Sequence, residues 1–404
     1  MDLVSEKFAK LGCDNAPGQE INQKEEALPL IGDKLEGRRV DFSHGDVDAH
    51  PPIPGSLEAF NEGFAEGGVQ AYTEYKGRKT IRDDLAAKLA DFTGAPVDPL
   101  NLIVTPGTQC ALFLAMGATV GRGDKVAIVE PDYFANRKLV EFFDGELVPI
   151  YMDFEKGEKE GKAGLDLAAL EEGFKQGVKV FLFSNPNNPT GVIYSAEEIA
   201  AIASLAKKYG VTVIADQLYS RQVFDGRPYT HLRAQKEVPE NLITILGPSK
   251  TESMSGFRLG VAFGSPLIIT RMEKLQAIVS LRASGYNQAV LKNWFDEPEG
   301  WLADRIAQHQ QIRDDLLAVL RSCPGVYART TEAGSYLFVT MPELKVSSDD
   351  FVKILRKQAD VIVTPGTEFG PQFTNSFRIN FSQDHDAAVE AIRRTVTLIE
   401  RYRK

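Results

Sequence analysis

The chain has 404 residues, 43% hydrophobic and 25% charged, an ordinary globular balance with room for a large domain and a smaller one. A net charge of -10 and a pI of about 5.2 argue against a dedicated nucleic-acid binder, which carries a basic stripe, yet leave room for a local basic pocket. No apolar run reaches membrane-spanning length, and the start Met1-Asp2-Leu3-Val4-Ser5-Glu6 lacks a signal-peptide core. Cys13, Cys110 and Cys323 are scattered, with no CxxC pair, and fit packing roles in a reducing cytoplasm better than disulfides or a metal site.

Residues 1 to about 40 are polar and include Lys24-Glu25-Glu26, so a helix followed by an irregular arm is expected. Val40-Asp41-Phe42-Ser43 reads as a short strand ending in the turn His44-Gly45. From Tyr72 on, helical patterns such as Ser195 to Lys208 alternate with short apolar runs. These runs are Leu102 to Val104, Val126 to Val129, Val178 to Phe183, Val211 to Ala215, Leu242 to Leu246 and Leu259 to Phe263. The alternation predicts an α/β fold with a mainly parallel sheet covered by helices on both faces. Beyond Pro298-Glu299-Gly300 come a helix, strands at Tyr336 to Thr340, Val361 to Val363 and Phe377 to Phe381, and a last helix from Asp384 to Arg403. That is a smaller α+β domain. The expected division is an arm at 1–60 contributing to the small domain, a large domain at 61–295 and the small domain at 296–404.

Ligands of open α/β sheets bind outside the carboxyl ends of the strands, where most chemistry-bearing residues of this chain fall. Gly107, Thr108 and Gln109 follow a strand and open an apolar helix. A helix start suits a phosphate, and also a plain cap. Tyr133, after the next strand, can stack on a flat ring or sit half-buried in its loop. Asn188, in Asn188-Pro189-Thr190-Gly191, can donate to a phenolate oxygen or close an Asx-turn, and a cis Asn188-Pro189 bond would re-aim its amide. Asp216 ends an apolar run and needs a partner, either a protonated pyridine nitrogen or an arginine. Tyr219 can donate to the same phenolate oxygen as Asn188. Lys250 can form a Schiff base with an aldehyde or be a solvated lysine. Arg258 can clamp a phosphate beside Gly107 and Thr108. Arg378 lies between apolar neighbours and calls for an anion, whether a ligand carboxylate or an internal Asp or Glu. A phosphate turn, an amide, a carboxylate and an amine, in that order, are what a pyridoxal phosphate site requires.

From Val40 to its C-terminus the chain resembles the fold-type I pyridoxal-phosphate enzymes, specifically the class I/II aminotransferases. Ser249-Lys250 with Gly256-x-Arg258-x-Gly260 carries the resemblance most strongly, followed by Asn188-Pro189-Thr190-Gly191 with Asp216-x-x-Tyr219. The resemblance implies a seven-stranded type of sheet and transfer of an amino group between an L-amino acid and a 2-oxo acid through a Lys250 aldimine. It implies Asp216 at the pyridine nitrogen, Asn188 and Tyr219 at the phenolate oxygen, and Tyr133 on the ring. Gly107, Thr108, Gln109, Ser249 and Arg258 would take the phosphate end. Tyr72 would reach the phosphate of the neighbouring subunit of a homodimer. Arg378 would grip the substrate α-carboxylate and Gly45 would lie against the substrate. Arg282 would read a side-chain carboxylate, making aspartate or glutamate a candidate partner.

The chain departs from that pattern twice. Many relatives carry a phosphate-binding serine where this chain has Gly247, and Ser43-His44-Gly45-Asp46-Val47-Asp48 replaces the usual first turn. The same residues serve a β-lyase of the C–S type, and a non-catalytic relative would keep the fold. Intact Lys250, Asp216 and Arg378 argue against the latter.

Overall fold

A computed structural model of the protein describes residues 2–12 and 28–404. At its centre is a seven-stranded sheet in the order Leu102–Thr105, Gly260–Gly264, Leu242–Leu246, Thr212–Asp216, Val178–Ser184, Lys125–Glu130, Glu146–Tyr151. Strands from Leu242–Leu246 to Glu146–Tyr151 pair in parallel, and Gly260–Gly264 runs antiparallel to both its neighbours. Side chains alternate across a strand. Ile214, Ile243 and Ile245 pack with Ile269 and Met272 on one face, while Val213 and Ala215 pack with Ile199 and Ile202 on the other. The helices doing this covering are Thr108–Thr119 and Pro266–Val279 on the first face and Ala196–Tyr209 on the second. Burial on both faces is why these strands read as unbroken apolar runs.

Local sequence sets the helix ends. Ala196–Tyr209 begins with a capping box between Ser195 and Glu198 and stops at Gly210, whose φ of 66° suits glycine. The strand Glu146–Tyr151 escapes a sequence reading because Pro149 interrupts it and half of it faces solvent, as an edge strand allows.

The second sheet is antiparallel, with Ser376–Asn380 between Tyr336–Thr340 and Thr364–Pro365, and Tyr327–Ala328 beyond. The run expected as one strand at Val361 to Val363 divides. Val361–Ile362 pairs in parallel with Val40–Asp41, and Thr364–Pro365 joins the antiparallel sheet. Helices Trp301–Arg321, Ser348–Ala359 and His385–Tyr402 close one core with these strands, and Val40 and Phe42 are buried in it. The turn after Val40–Asp41, with Ser43 and His44, is thereby held against the C-terminal strands.

Asp2 caps a helix at Leu3–Leu11. The rest of the expected arm, with Cys13 and Lys24-Glu25-Glu26, lies outside the described residues. Cys110 and Cys323 are free thiols. Among the described residues no helix is long and apolar enough to cross a membrane.

Candidate active site

A cavity of about 250 Å³ opens where the central strands end. Ten residues singled out in the sequence line it: Thr108, Gln109, Tyr133, Asn188, Asp216, Tyr219, Ser249, Lys250, Arg258 and Arg378. Thr108 and Gln109, Tyr133, Asn188, Asp216 and Tyr219, and Ser249 and Lys250 come from the ends of five strands of the central sheet, Arg258 precedes a sixth, and Arg378 comes from the second sheet.

At one end lies the start of the helix Thr108–Thr119. The first turn of a helix leaves N–H groups without intrahelical partners and favours an anion. Gly107 precedes it at φ 80°, and a Cβ there would sit 2.5 Å from Arg258 Nη2. Only glycine lets the guanidinium lie this close to the turn. Arg258 is held in turn by its Nη1 donating to Ser255 O at 3.0 Å. Gln109 Oε1 is buried with no hydrogen-bond partner in the protein.

Asp216 sits at the centre, 6% exposed. The Leu218 N–H donates to it at 3.1 Å, but burial outweighs this and pushes its carboxyl up to about 6. Behind it, Asp132 is buried too and is pushed up to about 8 by burial, against hydrogen bonds from Ser184 and the Tyr133 N–H. Among the described residues Asp216 has no ion pair, so the arginine partner that its sequence left open is not there. Lys250 and Arg258 are likewise in no ion pair among the described residues.

At the other end Arg378 is 2% exposed. Its Nη1 donates to Asn188 Oδ1 at 3.0 Å and its Nη2 to Ser43 O at 3.1 Å, while its Nε is buried without a partner. No internal Asp or Glu pairs with it among the described residues. The Asn188 carbonyl is therefore taken by Arg378, which leaves the amide NH2 for the cavity. The Asn188-Pro189 bond is not among the cis bonds, which are Glu130-Pro131 and Asn185-Pro186. The turn is closed instead by Gly191 N donating to Asn187 O at 2.7 Å and Thr190 N donating to Asn187 Oδ1 at 3.2 Å, which aims Asn188 without it.

Four sequence candidates lie outside this lining: Gly107, in the turn just before Thr108, and Gly45, Tyr72 and Arg282. Gly45 borders a neighbouring hollow, and the first turn enters the cavity through Ser43 and His44 instead. Tyr72 is 81% exposed, and Arg282 lies beside it, 5.6 Å from its ring centre, donating to Thr73 O at 2.7 Å. Tyr336 lines the cavity without any local sequence signal, whereas Ser43 and His44 belong to the first turn, whose sequence departs from the usual pattern. Tyr336 belongs by virtue of strand pairing, which brings it from a distant segment.

The Lys250 turn is pinned from below. Ser253 N donates to Lys250 O and Met254 N to Pro248 O, both at 3.0 Å. Arg305 donates to Ser253 Oγ at 2.8 Å, and Arg221 to Glu252 Oε1 at 2.6 Å.

One carboxylate and three basic side chains thus line a single cavity without pairing one another. Asp216 and Arg378 are buried, and buried charges need partners, so the ligand must bring them. An anionic end at Gly107, Thr108 and Arg258, a basic nitrogen at Asp216, an aldehyde at Lys250 and a carboxylate at Arg378 together fit pyridoxal phosphate carrying an amino acid.

Comparison with known proteins agrees. Residues 39–394 match the model of aminotransferase class I and II. An aspartate aminotransferase of Sulfolobus acidocaldarius is 28% identical over 337 residues, 81% of this chain and 82% of its own. An asparagine–oxo-acid transaminase of Streptococcus mutans is 26% identical over 376 residues, 91% of this chain and 93% of its own. The crystal structure of an aspartate aminotransferase from Rhodobacter sphaeroides is 65% identical and superposes with a TM-score of 0.94, covering 99% of this chain and 100% of that one. The chain belongs to the class I and II aminotransferase family and is a pyridoxal 5'-phosphate-dependent transaminase.

Proposed function

We propose that this transaminase uses a dicarboxylic amino acid, aspartate or glutamate, as one partner, with the roles divided among the cavity residues as follows. The observation that carries it is the set of unpaired charges, Asp216, Lys250, Arg258 and Arg378, around one cavity. Pyridoxal phosphate, when bound, supplies the aldehyde that captures the amine and the ring that accepts electrons from Cα.

The protein's part is binding, orientation and proton movement. Thr108, Ser249, Arg258 and the helix start hold the phosphate. Asp216 keeps the ring nitrogen protonated, and the ion pair relieves the burial cost of its own charge. Tyr133 covers the ring, and the Asn188 NH2 and Tyr219 hydroxyl donate to its oxygen. Arg378 fixes the substrate α-carboxylate with a planar fork. Lys250 Nζ would hold the cofactor's aldehyde end and, as the base nearest the substrate Cα, would carry the proton that leaves it.

Tyr72 and Arg282 support a homodimer in which each protomer completes its partner's cavity. Three residues before Tyr72, Val69 is 68% exposed, and four before Arg282, Ile278 is 80% exposed; large apolar side chains left bare call for a cover. Leu281, at φ 61°, holds the strained turn that presents Arg282. In the partner's cavity Arg282 would meet the second carboxylate.

The test is the absorption spectrum of the purified protein with pyridoxal phosphate, before and after L-aspartate, L-glutamate and a panel of neutral amino acids. The expected result is a visible band lost on adding a dicarboxylic amino acid and restored by its oxo acid. A band that persists while ammonia and an oxo acid accumulate would mean a β-lyase, and preference for neutral amino acids would remove the Arg282 role.

A further inference from the structure

Tyr336 has no part in the transfer proposed above, yet it is 3% exposed and lines the cavity. Its hydroxyl accepts a hydrogen bond from Tyr219 at 2.9 Å, and the two rings meet edge to face with centres 5.3 Å apart. Its ring face carries the Arg378 guanidinium, whose carbon lies 4.3 Å from the ring centre. Phe369 supports the same guanidinium at 4.9 Å. The backbone fixes this placement. Tyr336 pairs opposite Asn380, and Phe338 opposite Arg378, in the antiparallel sheet.

One side chain therefore touches both the group that would donate to the cofactor's ring oxygen and the group that would grip the substrate. Tyr219 has a single hydroxyl proton. It can serve Tyr336 or a ligand oxygen, but not both fully. A guanidinium stacked on an aromatic face is held in plane and keeps its edge free for a carboxylate.

We propose that Tyr336 is a positioning residue joining the two ends of the site, its ring orienting Arg378 for the substrate carboxylate and its hydroxyl competing with the cofactor for the Tyr219 proton. The electrostatics agree with the geometry. Burial pushes the Tyr336 phenol up, but Lys250, Arg378 and the hydrogen bond from Tyr219 outweigh it and hold the phenol below its ordinary value. Tyr219 goes the other way, pushed up by burial and by Tyr336, and keeps its proton to donate. The assignment rests on the cavity taking pyridoxal phosphate as proposed above.

Tyr336→Phe and Tyr336→Leu separate the two contacts. Phe keeps the ring and removes the competing acceptor. The Tyr219 proton is then committed to the ring oxygen, stabilising its anionic form. The pH midpoint of the visible absorption change of the pyridoxal-phosphate-loaded protein should fall by roughly half a unit to one unit. In a Tyr219→Phe background the same change should move the midpoint by less than about a fifth of that. Leu removes the ring, and the dissociation constant of maleate, an unreactive dicarboxylate, should rise roughly five-fold or more, against less than about two-fold for Phe. A midpoint shift of the same size without Tyr219, or equal loss of maleate affinity in both variants, would reduce Tyr336 to a packing residue. Should Tyr336→Leu fail to fold, the Phe pair of measurements still decides. Wild-type protein that takes up no pyridoxal phosphate would overturn the cofactor reading and this assignment together.

Discussion

Two clusters of charge meet at the turn that follows Leu242–Leu246, and they obey opposite rules. Below the turn, Arg221 is clasped between Glu252 and Glu297, and its guanidinium carbon lies 4.1 Å from the Phe295 ring centre. Trp294 Nε1 donates to the same Glu252 oxygen at 3.2 Å. Above the turn, Asp216, Lys250, Arg258 and Arg378 face one cavity and pair with one another nowhere among the described residues. The lower cluster is closed and holds the backbone in place. The upper cluster is open, and only a ligand of matching charge completes it. Pairing, more than burial, separates the structural charges from the functional ones.

The largest effect should come from opening the upper cluster at its reactive member. Lys250→Ala removes both the amine proposed to hold the cofactor and the proposed proton carrier. Turnover should drop roughly a thousand-fold or more, and gel filtration should strip the visible absorption from the protein. The matching change below the turn acts on folding instead. Arg221→Met leaves Glu252 buried without its cation, which costs about 3–5 kcal/mol. Urea unfolding of the cofactor-free protein measures this, and a second change, Glu252→Gln, should recover part of the loss by removing the orphaned charge.

The two clusters also differ in how they could be read. Asp216 and Arg378 announce themselves, because each is a charge set in an apolar run and needs an explanation. The central strands are equally plain, because burial on both faces leaves few polar residues to blur them. Arg221 and Glu252 carry no such signal, since their partners come from separate turns. Tyr336 was unreadable for the same reason. Nothing near Tyr336 in sequence points to Tyr219, and only the pairing of Tyr336–Thr340 with Ser376–Asn380 brings the two ends together. Glu146–Tyr151 was lost to Pro149 and to its exposed face. Gly45 borders the neighbouring hollow, while the turn meets the cavity at His44.

Within the upper cluster, Asp216 should cost the protein stability until its partner arrives. Its folded carboxyl titrates at about 6, above the usual carboxylate value of 3.8. Between those values the folded protein binds the extra proton, so stability falls as pH rises through the window. Asn at this position keeps the acceptor for the Leu218 N–H and carries no charge. Without cofactor, Asp216→Asn should therefore be more stable than the wild type at pH 8, by at most about 3 kcal/mol. The gain should shrink as pH drops through 6 and vanish below about 4. With pyridoxal phosphate present the order should reverse, because the wild-type carboxylate then has its cation. A cofactor-free thermal melt that shows no gain at pH 8 would mean Asp216 is already compensated.

The smallest effect tests the departure at Gly247, where a serine would be expected to add a phosphate contact. The surroundings predict the opposite. A Cβ on Gly247 would lie 2.8 Å from Thr108 Cγ2 and 3.2 Å from both Gly260 Cα and Leu259 O. The last two are backbone at the start of a sheet strand and cannot withdraw, so Thr108 must turn or the start of its helix must shift. Either motion disturbs the groups proposed to hold the phosphate. Gly247→Ser should weaken pyridoxal phosphate binding about ten-fold, the order of one lost charge-assisted hydrogen bond. Thr108→Ser keeps the hydroxyl and deletes the obstructing methyl, so the double variant should return to within about three-fold of wild type. A cofactor titration that shows tighter binding for Gly247→Ser alone would break the steric link between these two positions. Restoration in the double variant would show that Thr108 fills the place of the missing serine, and that the glycine is what allows it to.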